Sequence, residues 1–348
     1  MDISVDKLKE ALSILSNAVS KKNTDKILTK MLELKTNNGI LYGYTYDQVN
    51  FLRVKIDNVS EELNATVDFN TFSSLIKNIS SDTVSIKLTE KGIAIKSNTL
   101  KVTLPILIDG SGLKVTGISA NWKGINIPST FNKIDVSKLK DYMSIIKSFI
   151  VEDFKIECYR NIYFNTDYIL ATDTNHIVKI TDSFFDKDVL LKYNTVDFLS
   201  KLSEIEYAID DKTLFVKSEN FNYMALLQNK DDYQYEDLSN LFSMKFDHTI
   251  EIDGYDYSNA LSNSKLFTYN AVGLQFNSEG LFFRLASNDF SYKLSDEPYN
   301  GKDDCIYTIN KDIAPKLLLT KDKLTINYGD PKIINVVTDN ISAIYSVG

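Results

Sequence analysis

The chain has 348 residues, of which 43% are hydrophobic and 25% charged, so it can bury the cores of two or three ordinary globular domains. It has no run of ~18 apolar residues that could span a membrane, and its N-terminus lacks the basic start and apolar stretch of a signal peptide, so we expect a cytoplasmic protein without membrane contact. The formal net charge of −8 argues against nucleic-acid binding through the overall field, but it is compatible with a local basic surface.

The first predicted element is a short strand that leads into an amphipathic helix, and it occurs three times. Residues 3–15 (ISVDKLKEALSIL) match residues 134–146 (IDVSKLKDYMSII), and residues 250–262 (IEIDGYDYSNALS) form a weaker third copy. Apolar residues at helical spacing predict a core-facing stripe in the first two copies, formed by Leu8, Leu12, Leu15, Leu139, Met143 and Ile146. The chain is therefore built from internal repeats.

A second shared segment follows in each copy, at residues 65–80, 189–204 and 305–320. Each segment has an alternating strand, then an asparagine, then a short helical pattern. An asparagine side chain can accept a hydrogen bond from a free N–H in the first helical turn, so we interpret three residues as N-caps: Asn70, Asn194 and Asn310. Pro315 predicts an irregular first turn in the third copy.

Alternating strands and short turn sequences follow each second helix, at residues 90–92, 210–212 and 329–330, which predicts antiparallel hairpins. Each copy then has two helices against antiparallel strands, and three copies of 116 residues fill the chain (348/3 = 116). We predict an α+β fold with domains at residues 1–122, 123–246 and 247–348. Residues 109–124 and the acidic segment 229–247 are the predicted connections.

Three ordered motifs resemble the bacterial DNA polymerase sliding clamp, the β subunit of the replicative polymerase. The opening helix with Lys21–Leu28 (KKNTDKIL) is similar to the family's first helix and basic turn. Tyr168–Ile180 (YILATDTNHIVKI) resembles the family motif Ala-Thr-Asp-Gly-His-Arg-Leu, and Asn259–Phe267 (NALSNSKLF) resembles the third-domain helix with Leu-Ser-Asn. The lysine- and asparagine-rich composition suits a divergent or phage-encoded member.

The resemblance implies three tandem clamp units per chain and a head-to-tail homodimer, whose six units close a ring around double-stranded DNA. Expected partners are DNA without sequence preference, a DNA polymerase, a clamp loader and proteins with clamp-binding motifs, inside a bacterial or phage-infected cell. No catalytic activity, cofactor or metal is expected. The third unit of one chain would meet the first unit of the other, with Ala260 and Leu261 on one side and Leu100 and Val102 on the other.

Lysines on the predicted helices are candidates for DNA contact. Lys140 and Lys147 share one face at helical spacing, and Lys77, Lys201 and Lys316 occur at comparable places in the second helices. Lys22, in the basic turn, is a further candidate by resemblance. Solvated surface lysines are the ordinary alternative for each of them. Contacts of this kind would be weak, independent of sequence and sensitive to salt.

The resemblance also implies a pocket for partner peptides between the second and third domains. Residue by residue, it would use Tyr159, Thr172, Thr174, Asn175, His176, Ile177, Tyr235, Ser239, Asn240, Leu241, Ile344, Tyr345, Ser346 and Val347. The motif departs from the family because Thr174-Asn175-His176 replaces Gly-His-Arg, and Tyr235 and Ser239 replace the usual proline and arginine. The pocket's peptide preference is therefore open.

Other classes of function find less support. The two histidines, His176 and His248, have no nucleophile elbow, phosphate loop or zinc motif beside them. Cys158 and Cys305 are far apart in sequence, so each is expected to be a buried, reduced thiol. The acidic residues at 231, 232, 236 and 237 lack calcium-loop spacing and are best explained as a solvated loop. A structural or adhesive repeat protein, such as a virion component, and a monomeric nucleic-acid-binding module are the alternatives.

Overall fold

The computed structural model describes residues 1–20, 26–108, 111, 115, 117–123, 125–151, 157–232, 235–285, 290–299, 305–329 and 333–347. Each third of the chain repeats one order of elements: a strand, a helix, four strands, a second helical segment and three strands. The first third contains β1 (Asp2–Ser4), α1 (Val5–Leu15), β2 (Met31–Asn37), β3 (Ile40–Tyr46), β4 (Asn50–Asn58), β5 (Asn64–Asp68), α2 (Phe69–Lys77), β6 (Thr83–Thr89), β7 (Gly92–Lys96) and β8 (Lys101–Leu104).

The remaining thirds follow the same order. The second contains β9 (Asn132–Lys133), α3 (Val136–Ile146), β10 (Asn161–Phe164), β11 (Ile169–Thr172), β12 (His176–Ile180), β13 (Val189–Lys192), α4 (Tyr193–Leu199), β14 (Glu206–Ile209), β15 (Thr213–Lys217) and β16 (Phe221–Leu226). A connecting helix and the third contain α5 (Tyr235–Asn240), β17 (His248–Asp253), α6 (Gly254–Ser264), β18 (Ala271–Asn277), β19 (Gly280–Leu285), β20 (Ser291–Ser295), β21 (Cys305–Asn310), a 3₁₀ turn (Ala314–Leu317), β22 (Lys323–Tyr328), β23 (Ile333–Val337) and β24 (Ile341–Ser346).

The predicted α+β class is confirmed, and all strand pairs within the described ranges are antiparallel. Four sheets have the orders β1-β6-β7-β8, β5-β2-β3-β4-β16-β15-β14-β9, β13-β10-β11-β12-β24-β23-β22-β17 and β20-β19-β18-β21. In each eight-stranded sheet, two four-stranded halves meet edge to edge. We call the pairing of β4 with β16 the first joint, and the pairing of β12 with β24 the second joint.

The chain divides into two compact units. Unit 1 contains Met1–Val136 and Leu202–Leu227, and unit 2 contains Ser137–Lys201 and Gln228–Gly348. The first joint lies within unit 1, and the second lies within unit 2. The division into three domains at residues 122 and 246 remains a prediction.

The helices pack as their apolar spacing predicts. The six residues of the predicted stripes of α1 and α3 are buried. Burying an aliphatic side chain of this size contributes about 1.5–3 kcal/mol relative to leaving it exposed, so these stripes are a main source of helix stability. None of the described helices is long and apolar enough to span a membrane.

The predicted N-caps are wrong by two or three residues. Helix α2 is capped by Asp68, whose carboxylate accepts the N–H of Thr71 at 2.8 Å, so Asn70 lies inside the first turn. Helix α4 begins at Tyr193, which places Asn194 within the helix as well. Asn310 instead closes a turn by accepting the N–H of Asp312 at 2.9 Å. As Pro315 predicts, the third segment is a short 3₁₀ turn.

Hairpins form at the predicted positions that lie within the described residues. β6 and β7 meet at a tight turn in which Gly92 has φ +144°, and a Cβ there would lie 2.0 Å from the carbonyl oxygen of Leu104. Glycine is therefore required at this turn. Cys305 is a free thiol that is only half-buried, so its predicted burial is partly wrong, while the side chain of Cys158 lies outside the described part.

Candidate functional site

The two joints are built on the same register. Aligning the strand pairs places Arg53 of β4 at the position of Lys179 of β12, and Met224 of β16 at the position of Ile344 of β24. The turn before β4 and the turn before β12 also match, because Gln48 has φ +86° and Thr174 has φ +88°. Corresponding side chains in the two joints can therefore be compared one by one.

The turn before β12 is held by a buried ionic network. The Asp173 carboxylate accepts the backbone N–H of His176 at 2.9 Å and lies 2.8 Å from its Nδ1. Lys316 Nζ donates to the same carboxylate at 3.2 Å, and Tyr345 donates its hydroxyl to the Lys316 carbonyl at 2.6 Å. Burial alone would raise the pKa of Asp173, but the His176 hydrogen bond and the charges of His176 and Lys316 outweigh it and lower that pKa.

Part of the predicted peptide pocket assembles on one face of this sheet, but its apolar cleft is filled. Tyr235, the first residue of α5, is only 3% exposed. Its ring stacks on that of Tyr163 with centroids 5.2 Å apart and packs in one cluster with Ile177 and Ile344. The cluster is completed by Leu170 and Leu190, with Tyr168, Leu238, Phe242 and Ile333 at its margin. Tyr235 therefore fills the apolar cleft between Tyr163, Ile177 and Ile344.

The other predicted pocket residues have varied positions. Thr172 is buried and donates its hydroxyl to the His176 carbonyl, while Thr174 and Asn175 are exposed in the turn. The Ser346 N–H donates to the Asn175 carbonyl at 3.1 Å, which ties the exposed Ser346 to this turn, and Val347 is buried. The remaining members lie in a 3₁₀ turn (Tyr159), at the end of α5 (Ser239 and Asn240) and just after it (Leu241, exposed).

A cavity of about 420 Å³ lies beside the filled cleft, and the sequence did not predict it. Its lining comprises Lys179, Thr181, Phe242, Met244, Phe246, Asn327, Asn335, Val337 and Ser342. The Lys179 ammonium lies 4.5 Å from the ring centroid of Tyr168 and 5.8 Å from that of Phe242. The alternation of side chains along a strand could have indicated this cavity. Lys179 lies two residues after Ile177, and Ser342 lies two residues before Ile344, so each shares a sheet face with the pocket residue on its strand.

The predicted DNA-contacting lysines fall into two groups. Lys77, Lys140 and Lys147 are exposed on helices or in the turn that follows α3. Lys201 pairs with Asp197 at 2.5 Å, and Lys316 is engaged with Asp173 as described above. Lys22 lies outside the described residues.

The predicted dimer residues offer unequal amounts of surface. Leu100 and Val102 are half-buried, before and within β8. Ala260 and Leu261 are buried inside unit 2, so in a single chain they contribute little free surface. Exposed apolar side chains occur just after α6, where Leu266 is 83% exposed and Phe267 41%.

No group of three or more histidine, cysteine, aspartate or glutamate side chains in the described ranges has the arrangement of a metal site. The described site consists of an ionically anchored turn, an apolar cluster and an amphipathic cavity.

No family model and no curated protein sequence significantly matches this chain. Solved structures do. A DNA polymerase III β chain from Streptococcus pneumoniae superposes with a TM-score of 0.80 at 15% identity, covering 100% of this chain and 98% of that one. The Helicobacter pylori β clamp bound to a DNA ligase peptide gives 0.79 at 14%, with 100% of both chains covered. The Pseudomonas aeruginosa DNA polymerase III subunit β gives 0.78 at 14%, covering 100% and 99%. This chain has the fold of the bacterial DNA polymerase III β subunit.

Proposed function

We propose that the chain is a sliding clamp, a non-enzymatic processivity factor that encircles double-stranded DNA and tethers a DNA polymerase and other partners. The observation that carries this proposal is the repeated joint. Within the chain, β4 pairs with β16 and β12 pairs with β24, and each pairing joins two four-stranded halves. At the outer edges of the two four-stranded sheets, β8 and β20 have no neighbouring strand in the described ranges. If β8 of one chain pairs with β20 of another at both ends, six units close a ring.

The two free edges have the character of an interface. Unpaired edge strands attract further strands, and natural proteins usually protect them. Next to β20, the ring of Phe290 lies 5.6 Å from that of Phe267, and the neighbouring Leu266 is almost fully exposed. On β8, Val102 would meet this surface, with Leu100 at its start. Ala260 and Leu261 would support the interface from within unit 2.

Lysines supply the attraction to DNA. Lys77, Lys140 and Lys147 are exposed, and they would contact phosphates in a loose and sequence-independent way, as would Lys22 in the basic turn. Lys201 and Lys316 would contribute less, because their ammonium groups are already paired. A clamp held on DNA by topology gains from weak contacts, since these permit sliding.

Partner proteins would be held on the second joint. The H. pylori clamp that shares the fold binds a DNA ligase peptide. By analogy, a polymerase, a clamp loader and other proteins would present short segments to this chain, in a bacterial or phage-infected cytoplasm. The predicted pocket residues of β11, β12, β24 and the connection 229–247 would form the binding surface on the second joint.

The test combines native mass with retention on DNA. A species near twice 39.5 kDa, stable on dilution, is expected, together with retention on closed circular duplex and release when the circle is cut. Val102→Asp should lower the native mass to that of one chain at the same concentration. The matched control is Ile127→Asp, since Ile127 is exposed but lies outside both edge strands, and it should leave the mass unchanged. A monomer at every concentration, or equal retention on circular and linear DNA, would favour a structural repeat protein instead.

A further inference from the structure

The cavity of unit 2 occupies positions that are packed in unit 1. In the first joint, one row across the strands consists of Phe51, Met224, Phe215 and Ala208, in register from β4 to β14. This row is apolar, and Trp122 of the first connection packs on it together with Ile125 and Phe131, which follow that connection. The corresponding row of the second joint consists of Ile177, Ile344, Asn335 and Asn327. Its apolar half is covered by Tyr235, and its amide half faces the cavity.

The cation beside this row, Arg53 in the first joint and Lys179 in the second, has different surroundings in the two joints. Arg53 has its guanidinium 5.6 Å from the Tyr42 ring centroid and 5.2 Å from that of Trp122. Lys179 lies at the same register between Tyr168 and Phe242, and its ammonium also borders the cavity. Within the described residues Lys179 has no carboxylate partner, and no carboxylate lines the cavity. A half-buried ammonium of this kind favours an anionic ligand.

One wall of the cavity is apolar. Phe242, Met244 and Phe246 alternate along the connection after α5, and all three line the cavity. Met244 is 36% exposed although it is a large apolar residue. Methionine adapts its shape to varied apolar partners, which suits a site for exchangeable ligands. Asn335 and Ser342, joined by a 2.9 Å hydrogen bond, form the polar floor of the cavity.

We propose that this cavity, and not the cleft under Tyr235, binds a short peptide that carries a carboxylate side chain next to an apolar one. The carboxylate pairs with Lys179 and takes further hydrogen bonds from the polar floor, while the apolar side chain packs against Met244 and its phenylalanine neighbours. That the peptide belongs to a replication partner rests on the proposed function. A nucleic-acid phosphate would satisfy Lys179 but would leave the apolar wall uncovered.

Methionine methyl resonances provide a direct readout, because Met244 lines the cavity whereas Met224 lies in the equivalent apolar row of the first joint and Met143 lies in α3. The full chain, labelled with ¹³C at its methionine methyl groups, is titrated with acetyl-Ala-Asp-Phe-Ala-amide and with its Asp-to-Asn counterpart. A saturable shift of Met244 alone is expected with the Asp peptide. The Asn peptide should bind at least tenfold more weakly.

Three variants locate the site. Lys179→Met should remove the preference for the Asp peptide, whereas Lys179→Arg, which imitates Arg53 at the same register, should keep it. Asn335→Phe copies Phe215 of the first joint, and it should fill the cavity and abolish the Met244 shift. Unchanged Met143 and Met224 resonances report that each variant is folded.

Four outcomes would overturn the proposal: no saturable Met244 shift with either peptide, equal shifts with both, the same shift with inorganic phosphate, or binding that appears only in Tyr235→Ala. The last outcome would place the peptide in the cleft. This readout does not involve ring closure. A Met244 response in a chain that is monomeric and released from circular DNA would refute the clamp and leave the peptide site standing.

Discussion

The two joints have the same strand pairing, but one face of the first joint is covered by packed side chains, whereas the corresponding face of the second contains a cavity. Both join two sheet halves through the same register, and both place a cation between an aromatic residue of a connection and a tyrosine, Tyr42 within β3 or Tyr168 just before β11. In the first joint, the connection seals an apolar row, and the Ser119 N–H and hydroxyl fix it by donating to the buried Glu33 carboxylate at 2.8 and 2.7 Å. In the second joint, amides replace part of that row and a cavity remains.

The turns next to the joints also differ in the side chains that contact their aspartate. In the first joint, Asn50 donates its amide to Asp47 at 2.9 Å and accepts the Tyr223 hydroxyl at 2.5 Å, so a neutral amide completes the turn. In the second joint, His176 and Lys316 complete it around Asp173. A neutral amide therefore completes the turn of the first joint, whereas ionic groups complete the turn of the second.

The largest effect that should separate the joints is in unit 1. Phe215→Ala removes a buried ring from a fully covered row, so we expect the free energy of unfolding to fall by roughly 3–5 kcal/mol. The equivalent change in unit 2, Asn335→Ala, removes one hydrogen bond with Ser342 and should cost about 1 kcal/mol. Urea unfolding of both variants measures the difference. Equal losses would mean that the cavity side of the second joint is packed as tightly as the first joint.

A smaller effect should come from Tyr235, which covers the apolar half of the row in the second joint. Tyr235→Ala empties the cleft between Tyr163, Ile177 and Ile344, so we expect a loss of about 3 kcal/mol and faster proteolytic cleavage within residues 229–247. Leu241→Ala is the matched control, since Leu241 follows the same helix but is exposed, and it should change stability by less than about 0.5 kcal/mol. If the two variants behave alike, Tyr235 does not anchor the connection.

The sequence predicts the repeated parts of this fold far better than the joints. The helix stripes and hairpins follow from local periodicity, which the sequence shows directly. The N-cap of α2 was missed by two residues because Asp68 and Asn70 are both good capping residues, and a pattern alone does not choose between them. The pairing of β4 with β16 joins residues far apart in the chain, and no local signal encodes it. That Tyr235 lines a peptide pocket stays a prediction, and in the structure its ring is buried in the apolar cluster of the second joint.

The smallest effect, and the one most specific to the second joint, depends on pH. Asp173 has a pKa lowered by His176 and Lys316, so its carboxylate stabilises the folded chain fully above the unfolded-state pKa of about 4. That stability is lost as the pH falls through the lowered folded-state pKa. Asp173→Asn should therefore cost about 2 kcal/mol at pH 7, since hydrogen bonds to a charged group are lost.

The same substitution should cost progressively less in acid, because the wild-type carboxylate becomes protonated there and loses the same interactions. Urea unfolding of both proteins from pH 7 to about pH 2.5 measures the convergence. Asp47→Asn in the first joint is the control, since Asp47 accepts the uncharged amide of Asn50 at 2.9 Å where Asp173 is paired with His176 and Lys316. A difference between wild type and Asp173→Asn that stays constant with pH would show that shape, and not charge, fixes the turn of the second joint. The ionic contrast between the joints would then have no energetic consequence.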